Sequence, residues 1–315
     1  MGFHYHHPTE GDIGIITDVL NRSRCELPLH LDETVEEVAM QTFGNPDYDP
    51  QRYWIVTVSG RAVGYGGVIT KKSRIEAGMN DGWVNVEVIP EQRGRGIEQQ
   101  LMEYSLECLR SGGTDTAKCW CIGTRGWKHD TVMEFGFEDT RHEFIMVWKD
   151  GTVQDCPLPE GIHFEHRLFK EATDEEMSIF VNVFNDAFSE HYDFTPAPVE
   201  RFLRTRDSER NISRITFAKD GNTVVGIGKC CESVPYNEEH NTTIGWIDIL
   251  GVIREYRKRG IGRALLSDCL KWIHQRGMDT VYLEMDSENR DALHLYTSAG
   301  FAADRENIIY QLKLK

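Results

Sequence analysis

Apolar positions along the chain follow two rhythms, and the same order of rhythms occurs twice. Residues 54–68, WIVTVSGRAVGYGGV, read as strand, turn, strand, with a Gly-containing turn between two β-rich runs. Residues 215–229, ITFAKDGNTVVGIGK, read the same way. A strand-like run opening on Gly-Trp then leads into a Gly-rich turn and a helix, from Gly82 in one copy and from Gly245 in the other. In the second copy Ile261, Ala264, Leu265, Cys269, Trp272 and Ile273 fall on one helical face, and Gly277 stands where a C-terminal cap belongs. In the first copy Ile97, Leu101, Tyr104, Cys108 and Leu109 form the stripe, which ends at Gly112. Each copy closes on a Gly-Phe pair, 136–137 and 300–301. The pairs Gly96/Gly260 and Gly136/Gly300 share one offset of 164 residues, so the repeat is in register.

Each half therefore reads helix, hairpin, strand, helix, strand, helix, strand. The fold expected is α+β, a mixed and mostly antiparallel central sheet flanked by helices, present in two tandem copies. Residues 156–161, CPLPEG, break both rhythms, which places the domains at 1–152 and 163–315 with a linker at 153–162.

Length agrees, since 315 residues suit two domains of about 150. No run of about 18 apolar residues is present, and the start, MGFHYHHPTEGD, lacks the charged-then-apolar order of a signal peptide. The expected location is cytoplasmic, with no membrane partner. A net charge of −16 argues against nucleic acid, which needs a basic face, and is compatible with an amine-bearing substrate. The eight cysteines include the close pairs Cys119/Cys121 and Cys230/Cys231, but neither pair has a second pair at zinc spacing. They read as small core residues, and His4, His6 and His7 as a terminus or first strand, so no metal is expected.

The chemistry is concentrated in residues 244–266. A β-rich run, 244–252, contains Leu250-Gly251 near its end, and a glycine there signals a bulge or a close backbone approach. Arg257, Lys258, Arg259, Gly260, Ile261, Gly262 and Arg263 follow, leading into the amphipathic helix. A helix start exposes unpaired amides and the positive end of the helix dipole, and glycines let a phosphate approach. The segment is an anion site. It is neither a P-loop, since no Gly-Lys-Ser/Thr follows, nor a dinucleotide fingerprint, since the third glycine is missing.

The order Arg257-x-x-Gly260-x-Gly262 after a bulged strand resembles the acetyl-CoA motif of the GNAT (GCN5-related) N-acetyltransferase superfamily. Asn289-x-x-Ala292-x-x-Leu295-Tyr296-x-x-x-Gly300-Phe301 resembles that family's last helix. The resemblance covers nearly all of 163–315 and, more loosely, 1–150. Two such domains, with Asn185-Asp186-Ala187-Phe188-x-x-His191, resemble the mycothiol synthase-like tandem branch. The resemblance implies acetyl transfer from acetyl-CoA, a cosubstrate, to the primary amine of a small molecule by direct attack. It implies that Leu250, Gly251 and Val252 pair with the pantetheine arm, that residues 257–263 cradle the pyrophosphate, and that Asn289 contacts the coenzyme. Tyr296 would protonate the departing thiolate; its alternative is a core aromatic beside Leu295.

A base is also needed. Asp248, between Ile247 and Ile249, is the first candidate, because a carboxylate in a strand is costly to desolvate and its pKa rises. The alternative is a carboxylate held by a neighbouring arginine or a backbone amide. In the mycothiol synthase pattern the strand's carboxylate comes two positions earlier, where this chain has Trp246, on the same face. Glu284 is the rival base or an ammonium-binding group, and a water relay is a third route. On the acceptor side, Asp186, Glu190, His191 and Asp193 cluster in 186–196, a segment that lines the acceptor site in this family or else is a solvated acidic loop.

The first copy has lost these features. Gly262 corresponds to Glu98, Tyr296 to Val132, Asn289 to Arg125, and Asp248 to Asn85 or Val84 according to the anchor chosen. Arg93, Gly94, Arg95 and Gly96 remain. The first domain is thus expected to be structural, or to shape the acceptor cleft, with one acetyl-CoA per chain. The competing functions are a non-catalytic acyl-CoA sensor and an aminoacyl-tRNA-dependent enzyme, the latter disfavoured by the charge. Sparse alanine, with more Ile, Asn and Lys, does not suggest the GC-rich bacteria that make mycothiol, so the acceptor stays open. Monomer and homodimer both fit.

Overall fold

The computed structural model describes residues 2–123, 126–149 and 151–315. Chain order in the first copy is β1 (His4–His6), α1 (Ile13–Arg24), α2 (Val35–Gln41), β2 (Tyr53–Val58), β3 (Arg61–Ile69), α3 (Lys72–Glu76), β4 (Asp81–Val88), α4 (Ile97–Ser111), β5 (Thr116–Ile122), α5 (Trp127–Glu134) and β6 (Glu138–Lys149). The second runs β7 (Ile162–Leu168), α6 (Asp174–Ala187), α7 (Val199–Asp207), β8 (Ile212–Asp220), β9 (Thr223–Glu232), α8 (Val234–His240), β10 (Ile244–Val252), α9 (Ile261–Gln275), β11 (Thr280–Asp286), α10 (Arg290–Ser298) and β12 (Ala302–Lys313).

Two compact units form, and they do not divide at one point of the chain. Unit 1 is Met1–His142 with Glu306–Lys315, and unit 2 is Glu143–Arg305. In unit 1 the strand order is β1-β2-β3-β4-β5-β12, antiparallel throughout except for the parallel pair β4–β5. In unit 2 the order is β6-β11-β10-β9-β8-β7, and only β10–β11 is parallel. The last strand of the chain therefore completes the first unit: Ile308 and Tyr310 lie in its core, and Tyr310 bonds His129 at 2.6 Å. The end of β6 enters unit 2 in the same way, with Met146 and Trp148 in that core. The expected halves, 1–152 and 163–315, thus differ from the compact units in where two strands lodge. Residues 151–159, around the expected linker, carry no helix or strand.

Local sequence explains the elements. The β2–β3 turn uses Ser59 and Gly60, both at positive φ, the twist a two-residue hairpin requires. Thr173 caps α6 through a reciprocal box with Glu176. The α9 stripe buries Ile261, Ala264, Leu265, Cys269 and Ile273, and Gly277 follows the helix at φ +89°. In α4 the left-handed residue that ends the helix is Gly113, one beyond Gly112. Cys119, Cys121, Cys230 and Cys231 are buried free thiols in strands, and His4–His6 form β1.

Deleting residues 306–315 removes a strand that β5 pairs with along its whole length. Amides of β5 are expected to lose hydrogen-exchange protection while those of β8 and β9 keep it. Full protection of β5 in the truncated chain would contradict this strand placement.

Candidate active site

In unit 2 the parallel pair β10–β11 stops at Ile247 and Leu283, although both strands run on. The two strands part there and leave an edge of residues 250–252 bonded to β9 on one side only. Into this opening fits a cleft of about 400 Å³, whose walls include Leu250, Gly251, Val252, Asn289, Ala292 and Tyr296. Arg257, Lys258, Gly260, Gly262, Arg263 and His191 line it too. Residues from three distant stretches of sequence, named above for one coenzyme, thus meet at one place.

The floor of the cleft depends on a small residue. A Cβ on Gly251 would stand 2.9 Å from the Phe188 ring and 3.0 Å from Ala187. At the turn, Lys258 (φ +62°) and Gly260 (φ +86°) are left-handed, which folds the chain into the start of α9. Gly260 is the N-cap and supplies no side chain, so the first-turn amides of α9 have no acceptor among the described residues. With the free β10 edge beside them, these donors fit a diphosphate followed by an amide-bearing arm, as in coenzyme A.

Several basic and acidic residues have other partners. Arg257 donates to the Val252 carbonyl at 3.1 Å, the Ala187 carbonyl at 2.9 Å and Glu190 at 2.6 Å. It fastens the turn to β10 and α6 rather than reaching outward. Glu190 also takes Arg254 at 3.0 Å, and these two arginines hold its carboxyl below the usual range. Arg259 lies over Tyr256 and Arg263 donates to Ser298 at 2.7 Å. Lys258 meets Asp291 at 2.5 Å, both well exposed. Asn289 caps α10, accepting from the Ala292 amide at 3.1 Å.

Tyr296 is 8% exposed, and its hydroxyl makes no hydrogen bond among the described residues. Burial pushes its pKa up, so the phenol keeps its proton. Asp248, Glu284, Asp186 and Trp246 do not line the cleft. Asp248 sits on a bulge in β10, its carboxylate 2.5 Å from the Lys229 ammonium. Burial alone would pull Lys229 down, but Asp248 and Glu209 outweigh it and push its pKa up. Glu284 is exposed one residue past the last β10–β11 pair. Trp246 leans on Tyr282 with ring centres 5.3 Å apart, and Asp186 is exposed at the end of α6. Of the acidic loop's candidates only His191 reaches the cleft wall, beside Phe188.

Unit 1 repeats the scaffold and alters the site. Arg93 donates to Val88, Ser23 and Glu26, each 164 positions before the partners of Arg257. Asn21 and Asn185 likewise each clip a loop closed by a pair of backbone bonds, to Glu33 and to Ala197. At the cradle, however, the Glu98 side chain, 2% exposed, accepts the Gly94 amide at 2.7 Å. At the arm, Glu87 stands where unit 2 has Gly251, and it bonds Ser23 at 2.9 Å, Arg24 at 3.1 Å and Lys128 at 3.3 Å. Burial would raise the Glu87 carboxyl, but Lys128 and Arg24 hold it below its usual range. The cleft beside this cluster, about 630 Å³, is walled by Trp83, Trp120 and Trp127. Arg125, the expected counterpart of Asn289, lies outside the described residues. The sequence reading did not foresee Arg24 and Lys128, although Phe188 and Ala292 stand at the same offset from them.

Residues 173–301 match the Acetyltransferase (GNAT) family. A mycothiol acetyltransferase from Nocardiopsis dassonvillei is 25% identical over 95% of this chain and 96% of its own. One from Thermobispora bispora is 29% identical over 71% and 74%. Among solved structures, a tandem GNAT protein from the clavulanic acid biosynthesis pathway superposes with a TM-score of 0.75 at 14% identity, over 100% of this chain and 99% of that one. A GCN5-related N-acetyltransferase from Sphaerobacter thermophilus gives 0.67 at 23% identity, over 99% and 96%. Residues 173–301 thus form a GNAT acetyltransferase domain, which makes the protein an N-acetyltransferase, and along its full length the chain has the fold of tandem GNAT proteins. No helix among the described residues is long and apolar enough to cross a membrane, and no cluster of three or more His, Cys, Asp or Glu among them could hold a metal ion.

A Cβ on Gly262 would meet only ordinary contacts, at 3.7 Å and beyond. Gly262→Glu should therefore fold, copy the Glu98 arrangement and weaken coenzyme A binding by about 30-fold or more, a charge penalty of ~2 kcal/mol. Calorimetry checks this, and an unchanged Kd would show that the turn does not hold the diphosphate.

Proposed function

We propose that unit 2 carries the reaction and unit 1 is a structural copy, and that the acceptor is a primary amine on a small molecule. The observation that carries this reading is the contrast between the α9 turn, open at Gly262, and the α4 turn, where the buried Glu98 carboxylate occupies that position and accepts the Gly94 amide. The acetyl-CoA cosubstrate supplies an activated thioester. Gly260, Gly262 and the first amides of α9 hold its diphosphate, the edge at 250–252 holds the arm, and Asn289 lies alongside.

Tyr296 is the proton donor. Its phenol, at the cleft wall and kept protonated by burial, faces a site where a thiolate must be neutralised. With Asp248 committed to Lys229, Glu284 is the carboxylate placed where β10 and β11 part; we assign it the role of base, acting directly or through water. His191 faces the acceptor side. Curated relatives named mycothiol acetyltransferase make an amine on a small metabolite the reasonable acceptor class, while antibiotic, polyamine, amino-acid and peptide amines all remain in the panel to be tested. A sensor with no chemistry is the weaker reading, because it gives no role to a buried, unbonded Tyr296.

Titration with coenzyme A should give one tight site per chain; two tight sites would refute the division of labour. Tyr296→Phe should lower kcat by about 100-fold with the coenzyme Kd unchanged, since the hydroxyl it removes has no bond to lose. Because the Tyr296 pKa is raised, its loss of a proton should impose no alkaline limb on kcat below about pH 10. Full turnover in the variant, measured as thiol release across an amine panel, would remove Tyr296 from the mechanism.

A further inference from the structure

The two copies differ by one residue inside a single strand. Gly82 and Gly245 are 163 apart, whereas Gly96 and Gly260 are 164 apart, so unit 2 has gained a residue between them. Strand register locates it. On β9, Cys230 pairs with Ile247 and Lys229 pairs with Ile249, so Asp248 is the extra residue, carried on a bulge. The corresponding part of unit 1 is regular, with Gly67 opposite Asn85 and Val68 opposite Val84. Asp248 therefore has no counterpart in unit 1.

The inserted residue has a partner that unit 1 also lacks. Lys229 holds the Asp248 carboxylate at 2.5 Å, lies 3.6 Å from Glu209 and sits 4.7 Å over the Phe169 ring. Its side chain is 8% exposed. Pairing with the residue just after the bulge, it corresponds to Gly67, where a Cβ would collide with the Arg52 carbonyl at 2.2 Å. Bulge, aspartate and lysine thus occur together in the copy whose turn is open at Gly262, and none of them occurs in the other.

We infer that Asp248 is a positioning residue: paired to Lys229, it locks the bulge in β10 and so fixes the edge at 250–252 against the α9 turn. A bulged residue is outside the ladder and its strand can slip by one position, which would turn Leu250 and Gly251 to the wrong faces. The charge pair opposes that slip, because moving Asp248 away would leave a buried ammonium short of one of its two carboxylates. This inference rests on the reading that coenzyme A occupies the cleft.

The test compares coenzyme A binding by calorimetry in the full chain for wild type, Asp248→Asn, Asp248→Ala and Lys229→Met. Asp248→Asn keeps an acceptor for Lys229 and should bind closest to wild type. Asp248→Ala and Lys229→Met should each weaken binding by about tenfold or more, the scale of a sub-ångström to ångström misplacement. In turnover, the losses should appear in KM for acetyl-CoA more than in kcat, and the acidic limb of kcat should survive in Asp248→Asn. Loss of that limb with coenzyme binding intact would make Asp248 the base and overturn the inference. So would wild-type affinity in Asp248→Ala and Lys229→Met. If Lys229→Met does not fold, the ranking of Asn above Ala at 248 decides. A wild-type chain that gives no heat with coenzyme A would instead overturn the reading of the cleft itself.

Discussion

Both copies start a helix on a left-handed glycine that no side chain caps, and what stands over that turn organises this protein. In unit 1 the turn is filled from within: Glu98, on the first turn of α4, reaches back to the Gly94 amide and puts a buried carboxylate there. In α9 the same position is Gly262, and no side chain caps the turn. A buried carboxylate and a diphosphate are drawn to the same partial charges, so one residue separates a helix start that already has an anion beside it from one that has room for one. The change is matched further along the cleft. Gly251, Phe188 and Ala292 leave a channel in unit 2, whereas Glu87, Arg24 and Lys128 at the same offset cross it with an ion cluster. A buried carboxylate between two cations cannot be loosened singly without stranding a charge, so the closure is mutually enforced.

What the copies share is equally informative. Arg93 and Arg257 bind the same three kinds of partner at the same offset, and Asn21 and Asn185 close equivalent loops. A feature retained where the cradle is filled serves the fold, not the ligand. That comparison gives Arg257 and Glu190 a part in holding the turn to α6, although both have the residue types expected of phosphate and amine ligands.

The repeat, the hairpins, the strand at 244–252 and the α9 stripe were legible because each is written in local periodicity or turn chemistry. The turn before α9 was legible because a glycine at a helix start marks a left-handed entry, which Gly96 and Gly260 both make. Three things were not. Periodicity marks β12 as a strand but holds nothing about which sheet takes it. The offset changes from 163 to 164 in plain view, yet only pairing with β9 shows that Asp248 is the added residue. The partners of Asp248 and Glu87 lie 19 to 64 residues away, where spacing carries no signal. A carboxylate in a strand was correctly unusual, but its explanation was a lysine across the ladder.

The strand placement also gives a reason for keeping a copy whose cradle is filled. Unit 2 takes its edge beyond β11 from Glu143–Lys149, at the end of the first copy's sequence. Unit 1 takes β12 from the end of the second. Separating the halves at the linker would leave β11 paired to β10 alone and β5 to β4 alone, two exposed edges flanked by apolar side chains such as Leu283 and Cys119. Neither half of the sequence encodes a finished sheet. Whatever the first cleft holds, loss of the first copy would take a strand from the second.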